Sequence, residues 1–215
     1  MKWVSSLSSL TSLFVEDGSI LTADVAKALR QKCPSFNYLQ YHCCEGPEAD
    51  QQLAEFLRDL KPQSLQTFVI RSRNEVGNET FMALQQHSSS LQKLCLMRLN
   101  PTALRSLHQL RHSLAITTLA IEGNDMVEGF GWLDYDNPAD FEEVAEWLSK
   151  CASLRELLLA RGSNATGLLL KIENNLGMIE DDSPVMELTS LNLDLTELNN
   201  RTFGISSETN HPLKI

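Results

Sequence analysis

The chain has 215 residues, 42% hydrophobic and 21% charged, which excludes a collagen-like, disordered or membrane-embedded class and predicts a soluble folded protein. Its 28 acidic and 18 basic residues give a formal charge of -10, which repels polyanions, so nucleic acid is not an expected partner. Five cysteines, an odd number without C-x-x-C spacing, fit a reducing compartment. The chain has no convincing signal peptide and no bilayer-length apolar run, so the expected location is cytoplasm or nucleus.

The first predicted element is an apolar triad, Leu10-x-x-Leu13-x-Val15, whose last two members share one face of a short strand. Thr22 then caps a helix carrying Val25, Ala26 and Leu29. A second triad, Phe36, Leu39 and Tyr41, is followed by Pro47 at the first turn of a helix with Leu53, Phe56, Leu57 and Leu60 on one side. Leu65, Phe68 and Ile70 form the third triad, with Phe81 and Leu84 marking a shorter helix behind it. Leu91, Leu94 and Leu96 form the fourth, followed by the helical stripe Leu104, Leu107 and Leu110. The fifth, Ile116, Leu119 and Ile121, leads into an insertion at 122–137. Asn137-Pro138 then opens a helix with Phe141, Val144, Ala145 and Leu148 on one face. Leu154, Leu157 and Leu159 make the sixth triad and Leu188, Leu191 and Leu193 the seventh. Residues 199–215 form a polar C-terminal tail.

The triads start 26, 29, 26, 25, 38 and 34 residues apart, so the same strand and helix unit recurs about seven times. One such strand cannot bury its apolar face alone. Several stacked in parallel share one continuous core, which is why the unit must repeat. A single helical stripe is equally compatible with a bundle helix, but seven interleaved strands are not. The expectation is an α/β solenoid over residues 1–198, with parallel strands on a concave face and helices on a convex one.

With these triads the chain resembles the leucine-rich-repeat superfamily, in its longer ribonuclease-inhibitor-like class. Phrases such as SSLQKLCLMRL and CASLRELLLARG resemble the divergent repeats of fungal F-box proteins. In the family, Asn or Cys stands three residues after the triad and bonds the turn. Cys44 and Asn124 match, while Gly18, Arg73, Leu99, Gly162 and Thr196 depart from the pattern. The F-box resemblance implies the substrate-binding repeat region of a ubiquitin-ligase receptor. An F-box would precede the repeats, so the chain is expected to be a fragment or to act without the ligase. The wider family also implies a GTPase-activating or enzyme-inhibiting regulator.

Constellations for catalysis are missing from the sequence. His108 and His112 stand four apart on a predicted helix, yet lack the intervening Glu and a third ligand. Cys43 and Cys44, beside His42 and not far from Cys33, are adjacent and so point to opposite faces of a strand. Asp134, Asp136 and Asp140 match part of a calcium loop, but Pro138 occupies the fifth ligand place and no Glu closes the loop. The N-x-S/T matches at Asn78, Asn164 and Asn200 carry no weight outside the secretory route. No enzyme activity, cofactor or metal is expected.

Two surfaces are candidates for binding another protein. The insertion from Glu122 to Asn137 holds five acids, no base, and the aromatics Phe130, Trp132 and Tyr135. These either anchor a partner or fold over the end of a helix. The outward strand positions are the second. Across seven repeats they carry Arg71, Lys93, Arg98, Arg155 and Arg161 against Glu16, Asp17, Glu122, Glu156 and Asp194, so the face is neutral on an acidic chain. In the third to sixth repeats it is +3, with Tyr38 alongside, which predicts an acidic or phosphorylated partner segment. The function expected is non-catalytic protein recognition.

Overall fold

In the computed structural model, which describes residues 8–16, 18–43, 48–72, 76–99, 101–123, 138–160, 165–176 and 188–194, each of the seven triads leads into a strand. The strands are β1 (Ser12–Val15), β2 (Tyr38–Cys43), β3 (Thr67–Ser72), β4 (Lys93–Leu99), β5 (Thr118–Gly123), β6 (Glu156–Ala160) and β7 (Ser190–Asp194). They form one sheet whose spatial order is the chain order, and every neighbouring pair is parallel. Parallel neighbours need a crossover between them, usually helical. Among the described residues each interval supplies one: α1 (Ala23–Lys32), α2 (Ala49–Asp59), α3 (Asn78–Leu84), α4 (Pro101–Arg105), α5 (Pro138–Ser149) and α6 (Ala165–Leu176).

The register lays the triads over one another. Leu13, Leu39, Phe68, Leu94, Leu119, Leu157 and Leu191 pair in succession, and so do Val15, Tyr41, Ile70, Leu96, Ile121, Leu159 and Leu193. The first set, and the second as far as Leu159, meet the apolar sides of the helices in one core; Leu39, Phe68, Leu94 and Leu119 retain no exposure at all. Each such burial contributes roughly 1.5–3 kcal/mol, so the triads and the helix faces packed on them hold the stack together. The helices thus cover one face of the sheet, and among the described residues no element covers the other, the open face.

A hydrogen-bond key joins each strand to the next just before the pairing begins. The Thr11 carbonyl accepts from the Asn37 and Tyr38 amides, that of Asn37 from Gln66 and Thr67, and that of Gln66 from Gln92 and Lys93. Gln92, Thr117 and Arg155 continue the pattern into β5, β6 and β7. A carbonyl has two lone pairs, and here both are used across every joint. The key recurs on both sides of the long excursion between β5 and β6.

Several helix ends are tied locally. The Thr22 side chain accepts from the Val25 amide at 3.4 Å, the cap that its sequence position predicts. The start of α3 is instead held by Asp50 of α2, whose two carboxylate oxygens accept from the amides of Gly77, Glu79 and Thr80, each at 3.0 Å. An anion at a helix N-terminus satisfies orphan amides and favours the helix dipole. Gly77 is required there, because a Cβ would lie 2.9 Å from the Ala103 Cα. Pro47 lies outside the described residues; α2 begins behind Glu48, which makes no side-chain cap. Helix α6 is an element that the sequence reading did not identify.

Three buried groups stitch neighbouring units. His87 is fully buried, its Nδ1 accepting from the Leu65 amide at 3.4 Å. Burial lowers its pKa to about 4, although a bond to the Leu57 carbonyl opposes that shift. Trp147 of α5 donates its indole N–H to the Ser113 carbonyl at 3.3 Å. Cys151 lies against the same carbonyl, and burial pushes its thiol up to about 12.

Candidate functional site

Alternation along the strands turns every second residue toward the open face. In register, these residues make three rows that run across the strands. The first row is Ser12, Tyr38, Thr67, Lys93, Thr118, Glu156 and Ser190; the middle row is Phe14, Gln40, Val69, Cys95, Ala120, Leu158 and Asn192. The third passes from His42 to Arg71 and Met97 and, past an irregularity, takes in Glu122, which pairs with the buried Ala160.

The face divides into zones. At one end Phe14, 63% exposed, rests against Tyr38 with ring centroids 5.2 Å apart. Tyr38 donates to Gln40 Oε1 at 2.8 Å, and Gln40 contacts His42 at 3.1 Å, so the outward side chains of β2 are locked to one another. Burial first, then the Cys95 thiol, raises the Tyr38 pKa, which keeps its hydroxyl a donor. From β3 to β6 the middle row is apolar without a break: Val69, Cys95, Ala120 and Leu158, each half-buried. Burial is the main cause that raises the Cys95 pKa, with Lys93 opposing and Glu156 adding, so the thiol stays neutral and belongs with the apolar row.

The predicted cations do not all serve the face. Lys93 and Arg71 are exposed in the first and third rows, flanking the apolar row. Arg98 sits at an irregularity of β4, where the register shifts between Leu96 and Leu99, and its φ of 57° is left-handed. That conformation costs a non-glycine residue about 1 kcal/mol. It changes the phase of the strand, so that Leu99 turns into the core with no exposure while Arg98 stays partly exposed. Among the described residues Arg71, Lys93 and Arg98 make no ion pair. Arg155, in contrast, folds back: its Nη1 donates to the Ala152 and Leu154 carbonyls at 2.9 and 3.0 Å, so it braces the turn before β6. On the acidic side, Glu156 accepts from the Thr118 hydroxyl at 3.1 Å.

Arg161, Phe130, Trp132 and Tyr135 lie outside the described residues, as do most of the insertion and the tail. Charge at the outward positions singles out Arg71, Lys93 and Arg98 but not the apolar row between them. The signal for that row was present, since Val69, Cys95, Ala120 and Leu158 each stand midway between the last two residues of a triad. Among the described residues no group of three His, Cys, Asp or Glu side chains is placed to hold a metal ion, and no helix is long and apolar enough to cross a membrane.

In comparisons with known proteins, no family model matches the chain, and no curated protein matches it. Among solved structures, the chain is similar to a tropomodulin C-terminal domain from Caenorhabditis elegans at 9% identity and a TM-score of 0.40, covering 82% of this chain and 90% of that one.

Proposed function

We propose that the chain is a leucine-rich-repeat solenoid that recognises another protein on its open sheet face and performs no chemistry itself. The observation that carries this reading is the composition of that face: an apolar row on four adjacent strands, flanked by the cations Lys93, Arg71 and Arg98 without ion-pair partners among the described residues. A solvated sheet face needs no such row. Apolar side chains between charges are the pattern of a recognition surface, where the centre excludes water and the rim selects sign. The partner is a protein with an acidic or phosphorylated segment, met in the cytoplasm or nucleus. On the resemblance to F-box repeats, that partner is a ubiquitin-ligase substrate. This finer reading rests on the sequence phrases alone.

The test is partner capture from cells with the wild-type chain and with Lys93→Glu plus Arg71→Glu. Both positions are exposed, so stability should change by no more than about 0.5 kcal/mol each. Specific partners should disappear with the double variant while the melting curve stays in place. Unchanged capture would refute the assignment of the face. Co-capture of a cullin scaffold would support the ligase reading, whereas stimulated GTP hydrolysis lost on substitution of Arg71 or Arg98 would replace it with a GTPase-activating one.

A further inference from the structure

We infer that the open face is built for an α-helix lying across the strands, with its apolar stripe on Val69, Cys95, Ala120 and Leu158 and its acidic residues over β3 and β4. This rests on the reading of the face as a protein-binding surface and specifies what it binds.

Strands β3 to β6 lie inside the sheet, and each is paired on both sides. Their amides and carbonyls are committed to the ladders, so an extended segment laid on this face would find no backbone partners. Each unpaired polar group that it buried would be costly. A helix brings its backbone already satisfied and needs only side-chain contacts.

Spacing gives the same answer. Neighbouring strands are about 4.8 Å apart, so the four apolar side chains step across the face at that interval. A helix presents one apolar residue per turn, about every 5.4 Å, and drifts by roughly 2 Å over the three steps from Val69 to Leu158. An extended chain presents same-face residues about every 6.7 Å and falls out of step by nearly 6 Å. Rows one and three lie about 13 Å apart along the strands, against a helix diameter of about 10–12 Å. Lys93 in row one and Arg71 in row three therefore stand on opposite flanks of such a helix.

The charges set its direction. Lys93, Arg71 and Arg98 belong to β3 and β4, while Glu156 lies at the β6 end of the first row. Acidic side chains on the helix are attracted at the first end and repelled at the second. The row also defines the length of the site, because it stops at Gln40, bonded within its own strand, and at Asn192 on β7.

Two display libraries presented to the purified full chain test this. One carries amphipathic helices on a monomeric helical scaffold, with acids fixed at one end in half of its members and bases in the other half; the other carries extended, proline-interrupted peptides of equal charge, with phosphorylated members. The helical library is expected to yield binders that lose at least tenfold in affinity with Ala120→Trp. Lys93→Glu with Arg71→Glu should also reverse the preference from acid-ended to base-ended helices, a change of sign that a misfolded face cannot produce. Extended or phosphorylated binders with the same sensitivity would overturn the helical occupant and leave the binding face standing. If neither library gives a binder sensitive to these substitutions, the helical occupant and the binding face both fail.

Discussion

Along β5, Leu119 and Ile121 point to the helix-covered side and are fully buried, whereas Thr118, Ala120 and Glu122 point to the open side and keep part of their exposure. The same alternation runs along β3 as far as Arg71 and along β4 as far as Met97, so neighbouring residues of one strand answer to different demands. On the covered side each position must be apolar and fill its space. On the open side the middle row is apolar although no described element packs over it. Packing among the described residues accounts for the first pattern and not for the second.

The strongest way to break that comparison is a matched pair of truncations on β3. Phe68→Ala removes a fully buried ring and should cost about 3–5 kcal/mol in urea unfolding, while Val69→Ala beside it should cost less than about 1 kcal/mol. Equal losses would show that the open face is structural as well. Next in size is the pH dependence contributed by His87. Its folded pKa of about 4 lies below the ordinary 6.5, so above pH 6.5 the imidazole is neutral in both states and its contribution is intact. Between pH 6.5 and 4 the unfolded chain binds a proton that the folded chain refuses, and stability should fall by about 3 kcal/mol before levelling off. His87→Gln should lose this part of the curve; an unchanged profile would remove His87 from the covered-side core.

Asp50→Ala tests whether the cap between helices is as necessary as the apolar packing. Three amides at the start of α3 lose their acceptor, and a loss of about 2 kcal/mol is expected, with faster hydrogen exchange in α3 than in α2. The smallest effect is at Arg98. Glycine relieves the left-handed backbone but gains freedom in the unfolded chain, so Arg98→Gly should stabilise by only about 0.5 kcal/mol. Binding should weaken at the same time, because the cation is lost from the face.

The sequence made the strands legible because each triad records a fixed inside position, and the Thr22 cap because donor and acceptor lie three residues apart. What it hid was non-local or conformational. Asp50 reads as an acid in the first turn of its own helix, and nothing nearby announces that it holds another helix 27 to 30 residues ahead. In α6 the run Leu168-Leu169-Leu170 blurs the helical period, since among its described side chains Leu168 and Ile172 alone are buried. Arg155 reads as a face residue because it stands outside the apolar triad, but it precedes β6 and its Nη1 donates to carbonyls of the preceding turn. The altered phase at Arg98 was visible as the spacing Leu94, Leu96, Leu99, which strict alternation does not permit.

The two-donor carbonyls at the strand entries bear on how such a chain can change over generations. Each incoming strand is located by two amides on one oxygen, so its placement does not depend on how far the backbone travelled since the previous strand. The joint into β5 follows a 25-residue interval between triads and the joint into β6 a 38-residue one, yet both close on the same contacts. Loop-closure entropy grows only slowly with length, so lengthening an excursion costs little. Insertions can therefore accumulate between strands while the rows of the open face keep their alignment.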